Sequence, residues 1–378
     1  MNQPDRYADL VLAGGGHAHM TVMANLNRFH DEGFSTLLVN PSPLHYYSGM
    51  GPGMLGGFYE PEQIRFNVEA MVRSRGGDFL DGKAVRIEPE RRVLRLEDGT
   101  CVGYRALSCN VGSRVNTPEL FQDHPDVLPV KPIAGLSEAR TRLAGLAAAG
   151  GVRVVVAGGG AAALETAGAA ARLIQDNGSG SVTVLAGRKF LSNPHPKARA
   201  KVLENFASRG IEVVEGSRVS AVEGDEMILE DGSRHGFDLA FAATGVAAQP
   251  LFRDSGLPTG DKDALVVNEF LRCPEHPAIF GGGDCIHFAP KPLDKVGVYA
   301  VRQNPVLLDN LLAALTKSTL RPFIPQNTYM LIFNLGDGRG VFCRGSLVFD
   351  GPLAFKLKNY IDVKFMRDFQ KVYGQTAI

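Results

Sequence analysis

Two stretches of the chain read alike, and together they restrict what it can fold into. In the first, residues 8–13 are a short apolar run, Gly14-Gly15-Gly16 follows at once, residues 17–29 read as a helix, and residues 35–39 are a second apolar run. In the second, residues 151–157 lead into Gly158-Gly159-Gly160, a helical stretch over 161–175 and the apolar run 181–185. Each is strand, glycine turn, helix, strand. That context separates these glycines from a lone motif match and points to a dinucleotide site in each unit. Gly14 and Gly16 fill the first two fingerprint positions, and His17 and Ala18 open the helix. The third position is His19 rather than Gly, which predicts looser packing of helix on strand. Asn40 stands after the second strand, where a carboxylate would hold a ribose hydroxyl; an amide can still hydrogen-bond a ribose. In the second unit Gly158, Gly160 and Ala163 occupy the three positions, and Ala is an accepted variant at the third.

A third glycine turn comes late, in Ala278-Ile-Phe-Gly-Gly-Gly-Asp-Cys285. It reads as a buried strand, a glycine run ending at Gly283, and a new helix beginning at Asp284. Asp284 can accept the free N–H groups of that helix, as any N-cap does, or a hydroxyl from a ribityl-type chain.

The chain has 378 residues, enough for two or three domains. Its 40 basic residues balance its 40 acidic ones, so a nucleic-acid partner is not expected. Cys101, Cys109, Cys273, Cys285 and Cys343 form no C-x-x-C pair and no metal spacing, which fits a reducing compartment and no bound metal. From the polar start no signal peptide is expected. No apolar run reaches the roughly 18 residues of a spanning helix. The expectation is a cytoplasmic protein, free or peripheral on the cytoplasmic face of a membrane.

Residues 45–59, HYYSGMGPGMLGGFY, are too irregular for a helix or a central strand. They read as a loop against a flat ring system, with Ser48 and Gly49 close to it, or as a packed surface loop. Residues 83–96 and 100–110 read as strands, after which Gly112 and Ser113 close over the cofactor. Lys131, at the crossover into the second unit, either reaches the cofactor or is solvated. Glu165 is either a nicotinamide-side contact or an acidic residue favoured by the helix dipole. No carboxylate follows Leu185; Arg188 and Lys189 suit a 2′-phosphate, which leans towards NADPH, unless Arg188 is merely exposed. Residues 193–209 read as a helix after a Pro-His-Pro start. Residues 242–246, with Gly245, bring small residues back to the cofactor side. Residues 296–303 lead into a long helix to 315, and Tyr299, Arg302 and Gln303 are candidates for a ring or acceptor site.

Beyond Lys317, residues 329–333 and 340–343 form a hairpin around Asp337-Gly338. Residues 354–373 carry Leu357, Tyr360, Ile361, Phe365, Phe369 and Val372 at helical spacing, flanked by Lys356, Lys358, Lys364, Arg367 and Lys371. Such a helix lies on a membrane or a second copy of the chain, or caps a core with its basic side solvated.

The three glycine signatures (GGG after the first strand, GGG-x-x-x-x-E after the crossover, GGGDC near the end) together resemble flavoproteins with two dinucleotide-binding domains, of the pyridine nucleotide-disulfide oxidoreductase type. The resemblance covers roughly residues 8–315. Within that group LVLAGGGHAH, YSGMGPGMLGG, LSCNVGS, VKP and VYAVRQ look like the flavoprotein module found at the N-terminus of some selenide, water dikinase fusions. That module is similar to type II NADH dehydrogenases and sulfide:quinone reductases. The resemblance implies an α/β chain of two Rossmann-like domains with a small C-terminal α+β segment. Residues 1–130 and 268–320 would bind FAD, 131–267 NAD(P)H, and 321–378 would be the C-terminal segment. It implies hydride transfer from the nicotinamide to the flavin, a quinone as acceptor, and Lys131, Tyr299 and Gln303 as the catalytic candidates. The cofactors would carry the chemistry and the protein the orientation. Asn40 and Ala186 depart from the relatives' acidic residues, and the cysteine pair that sulfide oxidation needs is not evident. Three readings follow: an NAD(P)H:quinone-type oxidoreductase, a sulfide- or selenium-linked one, and a flavin-binding partner module with weak turnover.

Overall fold

The computed structural model describes residues 3–116, 121, 124–193 and 195–374. Pro194 of the Pro-His-Pro start and the last four residues of the C-terminal segment lie outside them. Arg6–Ala13 runs parallel between Thr36–Asn40 and Cys101–Cys109. Asp78–Asp81 extends that sheet on one side, and Ile279–Gly281 pairs in parallel with the end of Cys101–Cys109 on the other. Ala84–Glu88 and Val93–Leu96 add an antiparallel hairpin to its first half. Strands covered on both faces read as continuous apolar runs rather than alternating ones, as Leu10, Val11 and Leu12, all fully buried, illustrate.

The second sheet is wholly parallel. Its order is Val127–Pro129, Leu239–Ala242, Val152–Ala157, Gly180–Leu185 and Ile211–Val214. A three-stranded antiparallel sheet, Val219–Glu223 with Glu226–Leu229 and Arg234–Gly236, hangs beside it. The two sheets are joined by crossing strands: Ser113–Val115 pairs antiparallel with Val246–Ala248. The chain is thus α/β with two dinucleotide-binding sheets.

Several elements differ from the sequence reading. The first helix is broken into a 3-10 turn at His17–His19, a helix at Met20–Ala24 and another at Asn27–Asp31. The break falls where Asn25 turns its side-chain amide back onto the Thr21 carbonyl. The stretch 45–59, read as a loop too irregular for a helix or a central strand, carries regular structure. Leu44–Tyr46 pairs with Arg65–Asn67, and Gly51–Leu55 is a fully buried helical turn with Pro52 in its first turn, where a missing N–H costs nothing. Its small residues permit close packing: a Cβ on Gly56 would lie 3.2 Å from Ala169.

The C-terminal unit has three strands rather than a hairpin, Leu331–Asn334, Gly340–Arg344 and Leu347–Gly351, followed by the helix Pro352–Gln370. It docks on the helix Ala161–Asn177 through two glycines. A Cβ on Gly168 would sit 2.3 Å from the Leu335 carbonyl oxygen, and one on Gly336 2.1 Å from the Gly168 oxygen. Arg209 donates to both of those carbonyls.

This contact makes a paired prediction. Gly168→Ala should destabilise the protein by about 1–2 kcal/mol, because overpacking outweighs the gain in helix propensity. Gly145→Ala, at an exposed position of the helix Gly135–Ala149 with nothing within 4 Å of its would-be Cβ, should stabilise it by about 0.5–1 kcal/mol. Thermal unfolding of the two single variants checks the opposite signs.

Candidate functional site

The first strand ends where Gly14 turns with φ +89°, a conformation that favours glycine, and gives its N–H to the Val39 carbonyl at 2.8 Å. The next strand-end residue across the sheet is Asn110, which is buried. Its backbone N–H bonds the Ala13 carbonyl (2.8 Å). Its side-chain oxygen accepts the Ala18 N–H (3.0 Å), and its side-chain nitrogen donates to the Gly282 carbonyl (2.6 Å). One amide thus ties the first glycine turn to the third. Gly16 and Gly283 must lack a Cβ because of it: one would lie 2.3 Å from the Asn110 oxygen, the other 2.5 Å from its nitrogen.

The long helix Gly297–Thr316 grips the same two turns with consecutive side chains. Gln303 accepts the Gly283 N–H at 2.7 Å. Asn304 donates to the His17 carbonyl at 2.6 Å and accepts the Thr21 N–H at 2.9 Å. Gln303 is buried, and its oxygen is engaged by the turn. Tyr299, one turn earlier, is buried edge-on against Tyr329 at 5.4 Å, and burial raises its phenol pKa.

Asn40 is engaged too. Its oxygen accepts the Gly15 N–H (2.8 Å) and its nitrogen donates to the Ser42 carbonyl (2.6 Å), so it shapes the glycine turn. His19 does not loosen the packing as expected; it cross-links it. Its fully buried ring bonds the Gly14 carbonyl at Nδ1 (2.7 Å) and the Ser108 hydroxyl at Nε2 (2.8 Å). Burial holds its pKa down, at about 4, so it is neutral at physiological pH.

Asp284 differs in its surroundings from the sequence reading. Gly283–Cys285 is a single 3-10 turn followed by the strand Ile286–Phe288, so no helix begins there and no helix dipole supports the carboxylate. Its support is Lys131, whose ammonium lies 2.9 Å from Asp284 Oδ2, and Ser113, whose hydroxyl donates to the same oxygen at 2.9 Å. Lys131 also donates to Ser113 at 2.9 Å. Burial works against the charge on Asp284, but Lys131, Ser113 and Lys295 outweigh it and its pKa falls below the usual carboxylate range. Gly112, at φ +69°, precedes this cluster. Lys131 is therefore neither simply solvated nor free.

Ser48 and Gly49 are half-buried beside a polar network that sequence reasoning missed. Lys358 donates to the Gly49 carbonyl and to Asp362, each at 2.7 Å. Tyr47 donates to Asp362 at 2.9 Å, and Tyr59 to Asn359 at 2.7 Å. The C-terminal helix thus turns a buried ion pair inward. Lys356, Lys364, Arg367 and Lys371 are exposed as expected, together with Leu353 and Tyr360; Lys358 is not. The only sequence signal was the i,i+4 spacing of Lys358 and Asp362. Glu165 points the same way. It accepts the Asn334 N–H at 2.8 Å, and burial raises its pKa against the pull of Lys358.

The second cradle is open. A Cβ on Gly158 would strike the Ala243 carbonyl oxygen at 2.2 Å and one on Gly159 the Ala186 oxygen at 2.5 Å, but one on Gly160 meets nothing within 4 Å. No side chain caps the helix Ala161–Asn177, whose first two residues are exposed, while Ala163 is fully buried on the sheet side. Ala186 is buried, and Arg188 and Lys189 are exposed at the same sheet end. The neighbouring carboxylate, Glu215, is clamped by Arg199 at 2.7 and 2.8 Å. Gly245, at φ +96°, lies in the crossover, its carbonyl accepting the Asn116 N–H at 2.9 Å. In the first cradle Gly16 gives no side-chain cap to the short 3-10 turn at His17, but the Asn110 oxygen takes the Ala18 N–H. The uncapped start at Ala161 behind its Cβ-free turn suits the diphosphate of a dinucleotide.

The sequence profile of the pyridine nucleotide-disulphide oxidoreductases matches residues 8–304. The chain belongs to that family. Members of it are oxidoreductases of the FAD/NAD(P)H type, and FAD and NAD(P)H are this chain's cofactors. A 106-residue stretch is 33% identical to a probable NADH dehydrogenase of Dictyostelium discoideum, spanning 28% of this chain and only 24% of that one. A longer match, 25% identical over 348 residues, is to ferroptosis suppressor protein 1 of Taeniopygia guttata, and covers 88% of this chain and 87% of the other. Among solved structures, the sulfide:quinone oxidoreductase of Aquifex aeolicus superposes with a TM-score of 0.82 at 17% identity, covering 97% of this chain and 92% of that one.

A pH prediction follows from His19. Its pKa is depressed from 6.5 to about 4 in the folded state, so the unfolded chain binds the proton more tightly. Stability is therefore full above about pH 6.5 and is lost as pH falls towards 4. His17 and His45, lowered to about 3 and about 4, act in the same direction. Between pH 7 and pH 5, His19 alone should account for roughly 2 kcal/mol. Urea unfolding at the two pH values checks this: His19→Gln should be less stable at pH 7 yet lose about 2 kcal/mol less on acidification.

Proposed function

We propose that the chain passes a hydride from NAD(P)H to FAD and then hands the electrons to a quinone-type acceptor. The observation that carries this reading is the half-buried Lys131–Ser113–Asp284 cluster beside the third glycine turn, where the FAD cradle would meet the strands leading to the second cradle. FAD, when bound, supplies a carrier for two electrons. The backbone N–H groups of Gly16 and His17 would hold its diphosphate, with Gly14 and Ala18, whose N–H groups are taken by Val39 and Asn110, fixing the turn and Asn40 shaping it. Asp284 and Gly283 would meet its ribityl chain, with Gly112 and Ser113 alongside. Ser48, Gly49 and Lys131 would lie at the ring. Lys131 would bring a cation to the ring, where negative charge develops on reduction, while Gln303 would act as a positioning residue through Gly283 and Tyr299 would wall the site. Gly158, Gly160, Ala163 and Gly245 would cradle NAD(P)H. Glu165, facing the C-terminal unit, would orient the nicotinamide side.

Quinone as acceptor is supported by the aromatic and polar wall that the C-terminal helix builds over Tyr47 and Gly49. The sulfide alternative lacks support: all five cysteines are free, Cys109, Cys273 and Cys285 are buried, and Cys343 is buried within its strand. NADPH is favoured over NADH because Ala186 replaces a carboxylate, Glu215 is clamped, and Arg188 and Lys189 are exposed. The exposed Leu353 and Tyr360 among the outer lysines of the C-terminal helix would rest on a membrane surface or on a second copy of the chain. No helix among the described residues is long and apolar enough to cross a membrane. Asn40, already engaged by the turn, favours the third reading, a flavin-binding partner module.

Anaerobic titration of the holoprotein with NADPH and with NADH tests the reading. Bleaching of the flavin, followed by recovery on adding a short-chain benzoquinone, is the expected result. Arg188→Ala should raise the NADPH requirement about 10–100-fold, the loss of one charge-assisted contact, and leave that for NADH nearly unchanged. Bound FAD that neither nucleotide bleaches would favour the partner-module reading instead.

A further inference from the structure

His17 carries a buried polar atom with no partner. Its backbone is fixed by Asn304, but its ring Nε2 is sealed from solvent and bonded to nothing among the described residues. The ring is caged by three others: His45 at 5.0 Å, Tyr47 at 5.1 Å and Phe365, stacked on it, at 5.9 Å. The cage draws on three separate parts of the chain: the first glycine turn, the loop after the second strand, and the C-terminal helix. Its other buried polar groups are engaged. The Tyr47 hydroxyl is held by Asp362, and Lys358 by Gly49 and Asp362. His45 Nε2 lies 3.5 Å from His17 Nδ1, and the two imidazoles meet edge-on.

Both rings are neutral near pH 7. Burial, then the neighbouring His45, lowers the His17 pKa to about 3, and Asp284 and Lys131 are near enough to act on it. The contact itself does not fix which ring donates; in the tautomer where His45 Nε2 donates to His17 Nδ1, the His17 proton sits on Nε2, and that tautomer is the premise of the assignment. The result is a neutral N–H donor, walled by flat rings and close to the Lys131–Asp284 cluster. A buried donor left without an acceptor costs about 1–3 kcal/mol, so the site is built for a ligand that brings one. The ligand chemistry it fits is a planar ring bearing a carbonyl oxygen.

We propose that the His17 Nε2–H recognises the carbonyl oxygen of a quinone acceptor, with Phe365 and Tyr47 walling its ring, while the His17 backbone serves FAD. This assignment rests on the quinone reading above. It gives the side chain a role separate from the cofactor-binding turn on which it stands.

The test is binding rather than turnover. The oxidised holoprotein is titrated with a water-soluble short-chain benzoquinone, and the perturbation of the flavin absorbance gives the dissociation constant. His17→Phe keeps the ring stack and removes the N–H; His17→Gln restores a donor. With FAD content equal to wild type, His17→Phe should weaken quinone binding about 10-fold, and His17→Gln should recover part of that loss. Unchanged affinity in His17→Phe overturns the proposal. So does loss of FAD from that variant, which would assign Nε2 to the cofactor. A wild-type protein whose flavin is bleached by NADPH but which binds no quinone would fail at the acceptor reading, and the His17 assignment would fall with it.

Discussion

The structure depends on one buried amide. Asn110 stands at the end of the central strand of the first sheet, between two glycine turns separated by more than two hundred and fifty residues of sequence. Its oxygen holds the start of the first helix and its nitrogen holds the carbonyl before Gly283. Among the described residues it is the one side chain that bonds both turns directly, adding to the strand pairing and to the grip of Gln303 and Asn304. A buried amide with both ends satisfied is strongly directional, and removing it leaves an orphaned N–H on one side and an orphaned carbonyl on the other. The glycines on either side are then a consequence: the amide fills the space that their Cβ atoms would take.

The rest of the site extends from that hub. Gln303 and Asn304, neighbours on one helix, repeat the same two-turn grip from the opposite side. His19 and Asn40 close the first turn from beneath. The third turn, fixed in this way, presents Asp284 to Lys131 and Ser113, whose strand runs on into the crossing pair that joins the two sheets. The C-terminal unit completes the enclosure. It is anchored by Gly336 on the helix Ala161–Asn177 and by Lys358 on the loop at Gly49, so it touches both sheet units.

What was legible in the sequence was local. The glycine turns with their flanking strands lie within about thirty residues, and their spacing carried the family and the cofactors. What was hidden depended on contacts across the fold. Asn110 lies within the LSCNVGS motif, but its partners Ala18 and Gly282 are 92 and 172 residues away. Tyr47 and Asp362 meet across 315 positions, and Lys358 reaches Gly49 across 309, so no window of sequence holds either pair. His19 and Asn40 were identified as departures from the fingerprint, but their partners, Ser108 and Ser42, were not. Asp284 was found for the wrong reason: a glycine run before an acidic residue imitates a helix start, whereas here the chain makes one tight turn and re-enters a strand. The third C-terminal strand escaped notice because Leu347–Gly351 is short and half-exposed.

The measurement that tests this account most directly is the FAD content and FAD dissociation constant of Asn110→Ala, alongside its unfolding midpoint. If the amide aligns the two turns, the variant remains folded, binds FAD at least about tenfold more weakly and loses it on dialysis, as the removal of two buried hydrogen bonds requires. A variant that purifies with one FAD per chain and the wild-type dissociation constant would contradict the claim that Asn110 builds the cradle.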